Sequence, residues 1–181
     1  MASILKVDKI QLPNGTAPTA GDLGIITSGT VLQVQQFTYT STTSWSSTSY
    51  TGILQGVVTP KQADSKFLVS FKMRASHSQS NSLYFVLGIN GNNDLYSGQR
   101  GYPSATGSIF METYGNSHSS NAQIDEYNGE YLYQHSGTGD ITFLVQGKLQ
   151  SGTAYMNHAY SYDDYSRGRP MSTLIVTEIS A

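Results

Sequence analysis

Three kinds of side chain in this sequence have the chemistry to build a site: four histidines, a scatter of carboxylates and thirteen tyrosines. The histidines are His77, His118, His135 and His158. No two stand at the spacing of a zinc motif, and the chain has no cysteine to complete a ligand set. They read as polar loop residues, His77 and His118 within Ser/Asn-rich stretches, and no cofactor is expected. Glycoside hydrolysis needs two carboxylates about 5 to 10 Å apart across a cleft. Glu112, Asp125, Glu126, Glu130, Asp163 and Asp164 could supply such a pair. Asn92-Asn93-Asp94 and Asp163-Asp164 lack the spaced ligands and glycine of a calcium loop and read as turns. There is no P-loop, dinucleotide fingerprint or Gly-x-Ser-x-Gly nucleophile motif. The sequence therefore reads as a non-enzyme.

Tyrosine is the more telling residue. Seven of the thirteen fall between positions 127 and 165: Tyr127, Tyr131, Tyr133, Tyr155, Tyr160, Tyr162 and Tyr165. A tyrosine ring gives rigid amphipathic contact area at low entropic cost, and it suits sugars by stacking and hydrogen bonding. Tyr131, Tyr133 and Tyr155 could equally pack in strands. Tyr160, Tyr162 and Tyr165 sit in the segment His158 to Pro170, beside Asp163, Asp164, Arg167 and Arg169. That composition is loop chemistry, and these seven residues are the candidate surface for a glycan. Trp45, alone in a Ser/Thr run from Thr38 to Tyr50, is read as an anchor to a neighbour or a solvent-facing binding residue.

The composition limits the partners. Only 12% of the 181 residues are charged and the net charge is −2. Solubility must come instead from 25 serines, 18 threonines and 18 glycines. Such a chain has no electrostatic footprint for nucleic acid or anionic lipid. No apolar run approaches the roughly 18 residues of a membrane span, so no membrane insertion is expected. Met1 to Lys6 lacks the apolar core of a signal peptide, which predicts synthesis in a cytoplasm without export by the usual route.

The elements that must position these residues are strands. Phe67, Val69, Phe71 and Met73 alternate with Leu68, Ser70, Lys72 and Arg74 at period two. Ile141, Phe143, Val145 and Leu149 repeat the pattern, with Gly147 marking a bulge or a close approach. Leu32 and Val34 read as a buried pair between Gln33 and Gln35. Leu83 to Ile89 is apolar on both faces and meets the turn Asn90-Gly91-Asn92-Asn93. Weaker strands are expected at Gly52 to Thr59, Ser108 to Tyr114, Glu130 to Gln134 and Thr153 to Asn157. Thr173 to Ile179, apolar on both faces up to Glu178, should lie centrally or at a subunit contact. Eight to ten short strands and no helical period predict an all-β fold, a β-sandwich of jelly-roll type over residues 29–181. Its core should hold Phe67, Val69, Phe71, Phe85, Leu87, Phe143, Val145 and Val176. Residues 1–28 read as an extended N-terminal arm whose Ile4, Leu5, Val7 and Ile10 cannot be buried by the arm alone.

The opening Ala2-Ser3-Ile4-Leu5-Lys6-Val7-Asp8-Lys9-Ile10, with Pro13-Asn14-Gly15 and Ala20-Gly21-Asp22-Leu23-Gly24, resembles small fibre-like virion proteins of tailed bacteriophages, especially marine ones. Ser28 to Val34, Thr59-Pro60 before Ser65 to Val69, and the ending Ser172 to Ile179 carry the same resemblance; residues 95 to 165 do not. The resemblance implies a short attachment segment followed by a homotrimeric β-sandwich on the exterior of a tail or capsid. Ile4, Leu5, Val7 and Ile10 would dock on another virion protein or on sister tails, and the sandwich would bind a host surface glycan or receptor. A head fibre or capsid decoration protein is the alternative. A polysaccharide-degrading enzyme is the third reading, disfavoured because phage depolymerases are mostly far longer. In a trimer, three copies of one histidine could also ring the axis around a metal, and the sequence does not choose between these roles.

Overall fold

The computed structural model describes residues 11–18, 28–78, 82–90, 111–114, 124–159 and 170–181. They form ten strands: β1 Val31–Tyr39, β2 Thr43–Trp45, β3 Thr51–Val58, β4 Lys66–His77, β5 Ser82–Ile89, β6 Met111–Tyr114, β7 Asp125–Gln134, β8 Ile141–Leu149, β9 Ala154–Met156 and β10 Ser172–Ile179. Among the described residues there is no helix.

The strands make two antiparallel sheets packed face to face as a β-sandwich. Sheet II runs β3-β8-β5-β6. Sheet I is built around β4. One edge of β4 pairs with β7 over ten rungs. The other edge pairs with β10 from Lys66 to Lys72 and with β9 from Ala75 to His77. β1 lies outside β10, and β2 lies outside β9. The pairing is nested: β1 with β10, β3 with β8, β4 with β7 and β5 with β6.

Period-two alternation places the core between the sheets. The eight residues predicted to fill it are all at most 3% exposed. Phe67 meets Phe143 across the layers at 5.7 Å, and Phe85 meets Tyr127 at 5.0 Å. Each such side chain contributes about 1.5–3 kcal/mol by leaving water. Gly147 marks a close approach, since a Cβ there would lie 2.6 Å from Ile53 Cδ1. The bulge falls on the partner strand, between Gly52 and Leu54. β10 is an interior strand of sheet I, as its β-branched sequence requires.

Several local expectations are corrected. Trp45 is neither exposed nor an outward anchor: it is 8% exposed and packs edge-on against Phe85 at 6.3 Å. Its position opposite Ala154 on β9 turns the indole inward, where a small neighbour leaves room. His77 is the last residue of β4 rather than part of a loop. In β1, Leu32 and Val34 are not the buried pair; Val34 is 61% exposed. A strand at period two cannot bury both Val34 and Phe37. A register shift between Val31 and Gln33 settles the matter in favour of Gln33, Gln35, Phe37 and Tyr39, which carry two aromatic rings inward.

Those two rings close the open side of the sandwich between β1 and β3, the edge strands of the two sheets. The Tyr39 hydroxyl accepts from the Gln55 backbone N–H at 2.6 Å and donates to the Gln55 carbonyl. This occupies ladder groups on the free edge of β3 and so blunts edge-to-edge pairing. Phe37 lies over Gly56, where a Cβ would come within 2.4 Å of the ring. Gly56→Val should therefore lower stability by about 1–3 kcal/mol through overpacking. Gly139→Val, where a Cβ meets nothing within 4 Å, is the control and should stay within about 0.5 kcal/mol in urea unfolding.

Candidate functional site

At the end of sheet I where β9 replaces β10, the outer surface carries a groove of about 230 Å³ lined by Thr42, Thr43, Ser44, Tyr155 and His158. Strand register sets who faces it. Trp45, Ala154 and Met156 point into the core, so their neighbours Ser44 and Tyr155, paired with each other, face outward. Thr42, Thr43 and Ser44 are exposed, and Tyr155 and His158 are half-buried. The two rings lie 5.9 Å apart, tilted by 45°.

A buried polar node holds the groove in shape. β4 loses β10 as a partner after Lys72 and gains β9 only at Ala75, which leaves the Arg74 backbone to be satisfied otherwise. The Arg74 N–H donates to Ser172 Oγ at 3.0 Å, and the Arg74 carbonyl accepts from the Asn157 N–H at 2.8 Å. Asn157, 1% exposed, donates from Nδ2 to the carbonyls of Tyr39 (2.8 Å) and Ser41 (3.2 Å). Its Oδ1 accepts from Ser172 Oγ at 2.7 Å. Its φ of +56° reverses the chain after β9, a conformation asparagine tolerates better than most residues. The reversal brings His158 back beside Tyr155. The Ser76 hydroxyl then holds the His158 carbonyl at 2.7 Å.

A second polar centre lies at the opposite end of sheet I. Glu178 is fully buried. Its carboxylate accepts from the backbone N–H groups of Lys61 (2.8 Å) and Gln62 (3.1 Å), from Ser65 Oγ (2.7 Å) and from Gln33 Nε2. Burial pushes its pKa up, but the hydrogen bonds from Lys61, Gln33, Ser65 and Gln62 outweigh it and leave the carboxyl below its ordinary 4.5. This centre is structural: it ties the turn between β3 and β4 to the last strand.

The predicted glycan-contacting residues Tyr160, Tyr162, Asp163, Asp164, Tyr165, Arg167 and Arg169 lie outside the described residues. So do the arm residues Ile4, Leu5, Val7 and Ile10, and His118. The ends of the predicted loop, His158 and Pro170, are described, and His158 is part of the groove. Of the tyrosines described in this region, Tyr127 is core, and Tyr131 and Tyr133 pack against the core; Tyr155 faces the groove. His135 sits between Phe67 and Tyr133, at 6.2 and 6.0 Å. Among the candidate carboxylates, Asp125, Glu126 and Glu130 stand on β7. Glu126 accepts Lys72 at 3.4 Å and is also paired with Arg74. The hydroxyls of Thr42, Thr43 and Ser44 were hidden in the Ser/Thr-rich stretch; parity relative to Trp45 is the signal that turns Ser44 outward, whereas Thr43 shares the parity of Trp45 and is exposed at the start of the edge strand β2.

The groove combines two aromatic rings with three hydroxyl side chains, and its lining includes no carboxylate, lysine or arginine. Such a surface can stack on one face of a sugar ring and exchange hydrogen bonds with its hydroxyls. No protein-family description matches this chain, and no curated protein does.

Proposed function

We propose that this chain is a non-catalytic bacteriophage virion structural protein, a trimeric tail-fibre-like or tail-associated module that binds a host surface glycan. The observation that carries the reading is the groove of Thr42, Thr43, Ser44, Tyr155 and His158 at the root of the tyrosine-rich segment 160–169. The nested strand pairing supports placing the sandwich in the jelly-roll class. The likeness of the two chain ends to phage fibre-like proteins supports a place on the virion exterior. In this reading the N-terminal arm, with Ile4, Leu5, Val7 and Ile10, attaches the module to another tail or capsid protein. Weak single sites suffice, since several copies per particle raise avidity without new contacts.

The test is a saccharide titration of the purified chain followed by NMR or calorimetry. Tyr155→Ala should weaken binding at least about tenfold, equivalent to 1.4 kcal/mol of lost contact. Unchanged affinity in a folded variant, or no binding of any host-surface saccharide by the parent, would overturn the reading. A capsid or head decoration role is the second reading. It is favoured by one observation, the exposed aliphatic residues Val31, Val34 and Leu132 on sheet I. Copy number decides: tens per particle at tail sites fit a fibre, and hundreds over the head fit decoration.

A further inference from the structure

On β8, Phe143, Val145 and Leu149 point into the core, so Gln146 and Lys148 point outward from sheet II. Register sets Tyr84 of β5 beside Lys148, and Gly52 of β3 beside Gln146. Tyr50, one residue before β3, reaches Lys148 from the other side. The Lys148 ammonium lies 4.8 Å from the Tyr50 ring centroid and 5.0 Å from that of Tyr84. Among the described residues it pairs with no carboxylate. Two ring faces fix the cation by its attraction to their π electrons and leave it free to meet an anion. A lysine held in this way has less rotamer freedom to lose when an anion binds.

Gln146 supplies the second, independent observation. It is 7% exposed, and its Oε1 is buried and accepts no hydrogen bond. A buried acceptor left unpaired is destabilising, and leucine in that place would avoid the cost. Such a group in a folded protein calls for a water, an ion or a ligand to complete it. The side of Gln146 toward β3 is open: Gly52 is exposed, and a Cβ there would meet only Leu144 Cδ2, at 3.7 Å. Glycine inside a strand often marks the close approach of a ligand. We propose that this part of the outer face of sheet II is a further binding site, separate from the groove of sheet I, which holds an acidic sugar. Lys148 takes the carboxylate in a charge-assisted hydrogen bond, and Gln146 Oε1 accepts from a ring hydroxyl. The two residues stand two apart on one strand, about 7 Å between Cα atoms. A hexuronate carries its carboxylate and its ring hydroxyls within that span.

The experiment is an NMR titration of the full chain with glucuronate, read at the side-chain signals of Lys148 and Gln146, with circular dichroism to report folding. Glucose serves as the neutral probe and acetate as the carboxylate without a sugar. Glucuronate should shift both side chains, and its affinity should fall as salt rises. Glucose and acetate should each bind at least about tenfold more weakly, since each lacks one of the two contacts. Lys148→Met, which keeps an unbranched stem and removes the charge, should weaken glucuronate at least about tenfold. Gln146→Leu should weaken it similarly while the urea midpoint holds or rises, because leucine removes the unpaired acceptor. A glutamine kept only for the fold would show the reverse, a lower midpoint and unchanged binding. Gly52→Leu meets no clash at its Cβ, so it should fold and block the open side of Gln146. No shift at Lys148, acetate as tight as glucuronate, or unchanged affinity in folded Gln146→Leu or Gly52→Leu would overturn the site.

Discussion

Asn157→Ala should lower the unfolding free energy by about 4 kcal/mol, read as a fall in the urea midpoint with unchanged slope. Two causes add. The alanine side chain abandons the part-buried carbonyl bonds to Tyr39 and Ser41 and the buried hydroxyl of Ser172. Each abandoned buried group costs about 1–3 kcal/mol, less whatever water recovers. The backbone at φ +56° adds about 1 kcal/mol or more, because a Cβ without a compensating polar group disfavours that conformation. Asn157→Gly separates the two, since glycine accepts positive φ at no steric cost. It should recover about 1 kcal/mol relative to alanine and no more. An alanine variant within 1 kcal/mol of the parent would show that the node contributes little. The same substitution should weaken saccharide binding, because Asn157 makes the reversal that returns His158 to Tyr155.

Glu178→Ala should cost about 4 kcal/mol, because it strips the acceptor from four donors at once, with charge-assisted bonds worth about 1.5–3 kcal/mol each before relaxation. The donors are the Lys61 and Gln62 N–H groups, Ser65 Oγ and Gln33 Nε2. The turn they belong to should open first, so amide exchange at Lys61 and Gln62 should rise more than in the core strands. Acid should act on the same centre. The folded carboxyl titrates below 4.5, its ordinary value, so folding favours the charged form. Its stabilisation is complete above pH 4.5 and is lost as pH falls from there through the lowered folded value. Glu178→Gln keeps the shape, costs about 2 kcal/mol near neutral pH, and should flatten the acid limb of stability against pH. An acid limb as steep in Glu178→Gln as in the parent would assign it to other carboxylates.

Glu178 also shows how far a linear reading reaches. Its parity with Leu174 and Val176 places it on the inward side of a β-branched strand, which the alternation states openly. That an inward carboxylate is stable there depends on a turn more than a hundred residues away in sequence, and no local pattern announces it. β7 makes the complementary point. Its second half reads as a strand, but Asp125 to Glu130 has poor strand propensity, and ten rungs of pairing with β4 override it. Trp45, read from its Ser/Thr-rich surroundings as an anchor or a solvent-facing binding residue, is in the core instead: an aromatic side chain in a polar context has two good environments, and only the opposing layer selects one.

By itself, the sequence determined the all-β class, the alternating faces of β4 and β8, and the eight core residues, because period-two burial is a local property of backbone geometry and apolar area. The tertiary structure decided what depends on a distant partner. It chose Phe37 and Tyr39 over Val34 as the inward set of β1, since one side of an edge strand must meet β3. It brought Ser44, Tyr155 and His158 into one groove, since β9 pairs with β2 across a hundred residues of chain. It left Val34 and Leu132 exposed at one rung on the outside of sheet I, because four strands aligned side by side bring together residues that are scattered along the chain.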